Sequence, residues 1–315
     1  GSTFETDVTG QFLNSNDTWF APSDLTLGPD GAIYIADWCD KRTAHPDPDA
    51  EWDRSNGRIY RVVTDSMTPV RPFDIRKMST HELTALLNHP NKWFVRRALV
   101  EIAGRNDKRA NGLLLQRVEK ADDPRLALNS LFALHGSEEV DESLAIRLLE
   151  HRFAPVRKWA VRFLGEYPSI TQAAAASLAS ISASESDVWV QSQLASTAKR
   201  LPAEQGLPIV WNLAKNNDVA ADPHLPLLMW WSVEHHAINS RQSIIETVEA
   251  WPDKDTTWVR DTLLPNLIRR FASEGSAECD ALCVRLIAAG DSWQVTEKML
   301  TALNAGLVDR QRPAT

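Results

Sequence analysis

The feature that most constrains the fold is a helical pattern that recurs from about residue 79 to the end of the chain. Apolar residues recur in it at the spacing of one helix face, as in Val156, Trp159, Phe163 and Leu164. Several segments open with Asp or Pro, which favour the N-cap or the first turn. They begin, 30 to 36 residues apart, at His89, Asp122, Arg152, Ser186, Asp222, Asp255 and Asp291.

Second helical segments fill the gaps between these starts. The first of them, residues 79–88, opens with Ser79 and has Glu82 three positions later, which predicts a capping box. The unit is therefore a helical hairpin repeated about seven times. Because one hairpin cannot bury its own apolar face, a period of this length predicts a stacked α-α superhelix, a solenoid, over residues 77–315. The predicted fold class is mainly α.

Residues 1–76 have a different pattern. The stretch "SDLTLGPDGAIYIADW" contains two short β-rich runs on either side of Gly-Pro-Asp-Gly, and "GRIYRVV" at 57–63 is a third. We expect a small antiparallel β element here. Since three strands make a weak sheet by themselves, we also expect it to pack on the first helical hairpin, 79–104, through Ile33, Ile35, Ile59 and Trp38.

Composition excludes several functions. The net charge of −8 argues against nucleic-acid binding, which normally needs a basic face. Three cysteines do not make a disulfide framework, and Cys279 and Cys283 are interpreted as buried thiols on one helix face. No apolar run approaches the roughly 20 residues that span a bilayer, so no membrane contact is expected of this chain. The opening Gly-Ser, without an initiator methionine, predicts a fragment of a longer protein.

Two resemblances refine this picture. "PVRKWAVRFLG", residues 155–165, resembles a HEAT repeat, in which Pro155, Val156, Arg157, Ala160 and Leu164 match the pattern. "PSDLTLGPDGAIYIADW" with "NGRIYRV" resembles one late blade of the propeller of soluble quinoprotein glucose/sorbosone dehydrogenases. A blade followed at once by HEAT-like units is similar to the C-terminal part of large bacterial membrane-bound dehydrogenase-type proteins, which often end in a cytochrome c domain.

The resemblance implies what a parent protein would do. It would oxidise a sugar or alcohol in the bacterial periplasm or cell envelope, with PQQ or Ca²⁺ and haem c held in domains that this sequence lacks. With only one blade and no CxxCH haem motif in this chain, we expect it to hold no cofactor and to have no catalytic residue.

The most conspicuous candidate site is the acidic stretch 37–53, "DWCDKRTAHPDPDAEWD". Carboxylates are the ligands that Ca²⁺ prefers, although their spacing here does not match an EF-hand. Three interpretations stay open: a cation site, a structured loop anchored by Trp38 and Trp52, or a loop facing a substrate. The candidate ligands are Asp37, Asp40, His45, Asp47, Asp49 and Asp53.

Other candidates have simpler interpretations. His235 and His236 are adjacent on a predicted helix and point about 100° apart, so they are poorly placed to chelate one metal. Arg157 and Arg260 occupy the position that links neighbouring HEAT-like units by salt bridges. The arginine pairs at 96–97 and 269–270 are likewise interpreted as structural rather than as anion sites.

The twelve tryptophans allow either core packing or aromatic platforms for carbohydrate. We predict core packing for those inside apolar helical patterns, and we leave open a groove-facing position for those near helix starts. The first group is Trp159, Trp189, Trp211, Trp230 and Trp231, and the second is Trp93, Trp258 and Trp293.

The sequence supports two functional hypotheses. The first is a non-catalytic helical-repeat scaffold whose concave face binds another protein or sibling domains of the parent. The second is a contribution to a quinoprotein-type dehydrogenase in which the acidic stretch 37–53 borders the active site.

Overall fold

The computed structural model of the chain describes residues 3–39, 56–65, 67, 70–252, 254, 256–290 and 292–310. These residues form three β-strands followed by fourteen α-helices, so a mainly helical fold with a small N-terminal antiparallel sheet is confirmed. Backbone contacts group the chain into two compact units, Thr6–Val140 and Asp141–Thr315 together with Gly1–Glu5. The division that the change of sequence pattern predicts at residue 76 stays a prediction.

The N-terminal unit, Thr6–Val140, contains the sheet and the first four helices. Its elements are β1 (Pro22–Leu27), β2 (Ile33–Asp37), β3 (Arg58–Val62), α1 (Thr80–Leu86), α2 (Lys92–Arg105), α3 (Asn111–Lys120) and α4 (Pro124–Gly136). Short 3-10 segments lie at Ile75–Lys77 and Lys108–Ala110. Helix α2 packs on both α1 and α4, and α3 packs on α4.

The three strands pair antiparallel in the order β1-β2-β3, as the sequence predicts. The turn between the first two follows from Gly-Pro-Asp-Gly. Gly31 has a φ of 80°, a conformation that glycine adopts without steric cost, and its N–H donates to the Gly28 carbonyl at 3.0 Å. The Asp30 carboxylate accepts from Arg61 Nε at 2.9 Å and from the Tyr34 hydroxyl at 3.1 Å, which ties the turn to β3.

One face of the sheet differs from the sequence prediction. Ile35 is buried and lies opposite Tyr60, whereas Ile59 lies opposite Ala36 and is 75% exposed. Successive residues of a strand point to opposite faces, so placing Tyr60 on the Ile35 face turns Ile59 to the other side. The predicted packing of Ile59 and Trp38 on the helices is therefore wrong, since Trp38 is also exposed.

The sheet is joined to the first helical hairpin by Asn91 instead. Its side-chain oxygen accepts from the Trp93 N–H at 2.9 Å and so caps the N-terminus of α2. Its amide nitrogen donates to the carbonyls of Gly28 at 2.9 Å and Pro29 at 3.3 Å. One side chain thus fixes both the helix start and the position of the hairpin turn.

Helix starts follow the predicted capping chemistry at several positions. Ser79 and Glu82 form the predicted capping box at α1, with the Ser79 N–H donating to Glu82 at 2.7 Å. Asp123 caps α4, in which Pro124 is the first residue, and accepts from the Arg125 N–H at 2.9 Å. Each cap satisfies backbone donors that the first helical turn leaves without a partner.

The C-terminal unit, Asp141–Thr315 with Gly1–Glu5, contains ten α-helices among its described residues. They are α5 (Glu142–Leu148), α6 (Ala154–Leu164), α7 (Gln172–Ser182), α8 (Val188–Ala198), α9 (Ala203–Leu213), α10 (Leu225–His236), α11 (Arg241–Glu249), α12 (Leu264–Glu274), α13 (Ala277–Ala288) and α14 (Trp293–Arg310). A 3-10 segment at Asn217–Ala221 and a π-helical turn at Val259–Leu263 precede α10 and α12.

These helices follow a regular contact order. The second helix of each hairpin packs on the second helix of the next, from α6 to α8, α10, α12 and α14. The first helices pack in the same way from α5 to α7 and α9, and from α11 to α13. The apolar face of each hairpin is buried mainly by its neighbours, which is the arrangement expected of repeated hairpins.

Polar contacts repeat this order. Side chains on one hairpin donate to backbone carbonyls of the preceding one, 32 to 42 residues away along the chain. Each bond is a direct link between two successive hairpins. The pairs are Arg117–Thr84, Asn129–Leu87, Thr197–Val161, Asn212–Ala179, Ser232–Ala195 and Trp258–Pro226.

No described helix is both long enough and apolar enough to cross a membrane.

Gly206 lies at a close approach between two successive helices. A Cβ placed there would lie 2.2 Å from the carbonyl oxygen of Ala198, the last residue of α8. Because that atom belongs to a buried backbone, it cannot move aside as a flexible side chain would. Glycine at this position therefore sets how closely the start of α9 approaches the end of α8.

We predict that Gly206→Ala lowers the free energy of unfolding by roughly 1–3 kcal/mol, the usual cost of overpacking a tight contact. Gly104→Ala is the control, because Gly104 lies within α2 and a Cβ there meets nothing within 4 Å. That variant should be neutral or slightly more stable, since alanine favours helix. Urea unfolding followed by circular dichroism measures both, and equal stability of the two variants would contradict the prediction.

Candidate functional site

Of the acidic stretch 37–53, the structure describes residues 37–39. They lie at the end of β2, which fixes their position. Asp37 is only 4% exposed, and its Oδ1 accepts from the N–H groups of Ala21 and Cys39, both at 2.9 Å. These hydrogen bonds hold the residue before β1 close to the segment that follows β2. Asp40, His45, Asp47, Asp49 and Asp53, with the anchor Trp52, lie outside the described residues.

The second carboxylate oxygen of Asp37 is buried and has no hydrogen-bond partner among the described residues. A buried carboxylate oxygen without a partner is costly, so native proteins usually supply one. The role of Asp37 visible in the structure is nonetheless structural, because Oδ1 organises two backbone segments. In the described part of the chain, no group of three or more His, Cys, Asp or Glu side chains is placed to hold a metal.

The histidine pair lies at the end of α10. His236 is buried and His235 is exposed, and their rings are 4.8 Å apart with planes inclined by 77°. Burial, helped by the neighbouring His235, lowers the pKa of His236 below its usual value, which favours the neutral ring. The arrangement is that of one packed and one solvated ring.

Cys279 and Cys283 are buried free thiols in α13, as predicted. Cys283 donates weakly to the Ile268 carbonyl at 3.6 Å, and burial raises its pKa to about 11. Since the thiolate is the nucleophile and the metal ligand, a thiol held protonated in this way is chemically inert.

A cleft lined by two tryptophans lies between α9 and α11, two successive first helices that do not pack closely on each other. It has a volume of about 740 Å³. Trp211 near the end of α9 and Trp251 just after α11 form its aromatic wall, with ring centroids 6.2 Å apart and planes inclined by 62°. Both indoles are partly exposed. We call this feature the α9–α11 cleft.

The polar lining of the α9–α11 cleft has one charge of each sign. Lys215 Nζ donates to Asn212 at 2.9 Å, and Glu246 accepts from Gln242 at 2.7 Å. Hydroxyl groups complete the lining, from Ser243, Thr247 and Thr256. The Thr256 hydroxyl is buried without a partner among the described residues.

The remaining tryptophans divide between core and surface. Trp230 and Trp258 are buried, and Trp159 packs against Phe163 at 5.6 Å. The prediction of core packing is wrong for Trp211, which lines the cleft, and for Trp231, which is 44% exposed. Helical periodicity places Trp211 on the side of α9 that faces α11, but it does not show that the two helices separate there.

The predicted role of Arg157 as a link between hairpins is confirmed. Its guanidinium, in α6, makes a two-bond pair with Glu185 in the α7–α8 connection, at 2.8 and 2.7 Å. Arg260 pairs with the adjacent Asp261 at 2.8 Å, and it is Asp261 that reaches the next hairpin, through Lys298 in α14. Arg269 likewise pairs with Asp309 at 2.7 Å.

Two comparisons with known proteins add one match. Residues 1–66 match a family model described as a domain of unknown function, DUF7133. That match covers the predicted β region and none of the helices. No curated protein matches the chain.

The Arg157–Glu185 pair predicts a pH dependence of stability. Burial would raise the pKa of Glu185, but hydrogen bonds from Arg157 and from the Asp187 and Ser186 backbone outweigh it, and the pKa lies below its usual value. Glu185 therefore contributes stability above its unfolded pKa, and this contribution is lost as pH falls through the lowered folded pKa. Arg157→Met leaves a buried, unpaired carboxylate and should cost about 3 kcal/mol at pH 7.

The cost of Arg157→Met should shrink as pH falls towards 4, because the unpaired Glu185 then takes up a proton. Arg285→Met is the control, since the Arg285–Glu249 pair also spans one repeat but is more exposed than the Arg157–Glu185 pair. It should change stability much less, with little dependence on pH. Urea titrations at pH 7, 5.5 and 4 measure both, and a cost for Arg157→Met that does not vary with pH would contradict the prediction.

Proposed function

We propose that this chain is a non-catalytic, HEAT-like helical-repeat module that binds another protein or a sibling domain. The contact order from α6 to α14 and the side-chain bonds that span one repeat support a stacked array of the solenoid type. Arrays of this kind bind partners through extended surfaces rather than through catalytic groups.

The observation that carries the proposal is an apolar stripe on α14. Trp293, Leu300 and Leu307 recur every seven residues, so they lie along one side of the helix. They are 70%, 44% and 39% exposed. We call these three residues the α14 stripe.

The α14 stripe is separate from the face that packs within the unit. Val295, Met299 and Ala302 of the same helix are buried, and α14 packs on α12 and α13 through its inner side. In a stacked array, the outer side of the last described hairpin is where a further helix would pack. An exposed apolar row there is typical of an interface, since terminal repeats that end in water have a polar outer face.

The partner that the sequence resemblance suggests is another domain of a dehydrogenase-type parent. In such a protein the propeller or a cytochrome c domain would be tethered to the array, so a modest apolar surface would suffice for binding. If the parent is of this type, the chain would lie in the bacterial periplasm or cell envelope.

A photo-crosslinking residue at position 300, introduced into the parent protein in its host, tests the binding function. We expect a crosslink to a single protein or sibling domain, identified by mass spectrometry, and we expect Leu307→Glu to abolish it. The matched control is the same crosslinker at Tyr167, which is exposed in the same unit but lies outside the α14 stripe.

Two results would contradict the binding function. One is the absence of any crosslink specific to position 300. The other is a crosslink that survives Leu307→Glu undiminished, because the stripe would then not be the contact. Since Leu300 and Leu307 are solvent-facing, neither change is expected to alter the circular dichroism spectrum.

A second candidate function is that the acidic stretch borders the active site of a quinoprotein-type dehydrogenase. The buried Asp37 oxygen without a described partner, at the start of that stretch, favours this candidate. Asp37 itself is a poor probe, because its other oxygen holds the backbone of Ala21 and Cys39.

The informative changes for the second candidate are Asp40→Asn and His45→Ala in the full-length parent. Each should lower turnover with a sugar substrate at least tenfold while leaving the melting temperature unchanged. Asp24→Asn, on the exposed strand β1, is the control. Unchanged turnover in both variants would remove this function.

A further inference from the structure

We propose that the α9–α11 cleft binds a neutral saccharide, with one sugar ring packed against Trp211 and Trp251. The site is the juxtaposition of two inclined indoles with one cation, one anion and three hydroxyl side chains. It shares no residue with the α14 stripe, so it does not depend on the proposed binding function.

The aromatic wall supplies the apolar contact that a sugar ring needs. The faces of indole rings are electron-rich, and the C–H bonds on one face of a pyranose are weakly positive, so the two surfaces attract. The two indoles meet edge to face with their planes inclined by 62°, so they are not stacked on each other, and both are partly exposed. Neither indole N–H donates to another described residue.

The polar lining supplies hydrogen bonds at the edge of such a ring. The Lys215 ammonium has three donors, of which the structure uses one on Asn212. The Glu246 carboxylate accepts from Gln242 and has further acceptor capacity. A vicinal diol, which both donates and accepts, is complementary to this combination.

Charge and size select the ligand class. A quaternary or primary ammonium in an aromatic cage would favour a net negative lining, but Lys215 balances Glu246. A phosphate would need more than one cation. The volume of about 740 Å³ falls within the range of roughly 300–1,000 Å³ that is usual for small-molecule sites. A neutral ligand with an apolar face and a polar edge fits both constraints.

The test is titration calorimetry of the intact chain with glucose, cellohexaose, laminarihexaose, maltohexaose and chitohexaose. We expect at least one of these neutral saccharides to bind and its affinity to fall at least tenfold in Trp211→Ala and in Trp251→Ala. Trp231→Ala is the matched control, because it removes an indole of the same unit that is 44% exposed and does not line the cleft, and it should bind as the parent chain does.

Ser243→Trp provides a second variant in case the alanine changes disturb packing. Ser243 is exposed on α11, so a large side chain there should fill the cleft without disrupting the core, and it should abolish binding. The inference is overturned if none of the five saccharides binds, or if binding is unaffected by both the tryptophan and the Ser243 changes. Preferential binding of tetramethylammonium or of a proline-rich peptide would also overturn it, in favour of a cation cage or a peptide groove.

Discussion

The helical part of this protein depends on burying apolar side chains between one hairpin and the next. A helix such as α8 has Val190, Leu194 and Ala198 fully buried, and its neighbours α6, α9 and α10 cover them. The α8 hairpin does not supply that cover alone, so much of this apolar burial lies at interfaces between hairpins. Apolar burial has no preferred direction. The hydrogen bonds between hairpins, such as the one from Thr197 to the Val161 carbonyl, do have one, so they help to fix how one hairpin packs on the next.

Much of this fold could be predicted from the residues because its determinants are local. The Ser79–Glu82 capping box and the Gly-Pro-Asp-Gly turn each depend on a few consecutive residues, and the structure has both. The role of Arg157 as a link between hairpins was predictable for a related reason. Its position in the HEAT-like pattern is one from which an arginine pairs with the next unit. The stacking of successive units into a solenoid stays a prediction that the contact order supports.

The sequence could not show the features that depend on distances between secondary-structure elements. Periodicity separates the two faces of β3, but only its pairing register with β2 places Tyr60 inward and Ile59 outward. In the same way, Trp211 sits in an apolar helical pattern, and whether it is core or surface depends on how far α11 lies from α9. An aromatic residue has the same sequence signature on the wall of a cleft as in a sealed interface.

Asn91 makes the first sheet turn and the start of α2 depend on one carboxamide. Its carboxamide accepts from the start of α2 and donates to the hairpin turn at Gly28 and Pro29. Replacement of Asn91 by aspartate would keep the acceptor, and a negative charge at a helix N-terminus is favourable. The donor, however, would become a second acceptor facing two carbonyl oxygens. A change of one atom would thus strengthen the helix while releasing the sheet, and amide hydrogen exchange in the two elements would move in opposite directions.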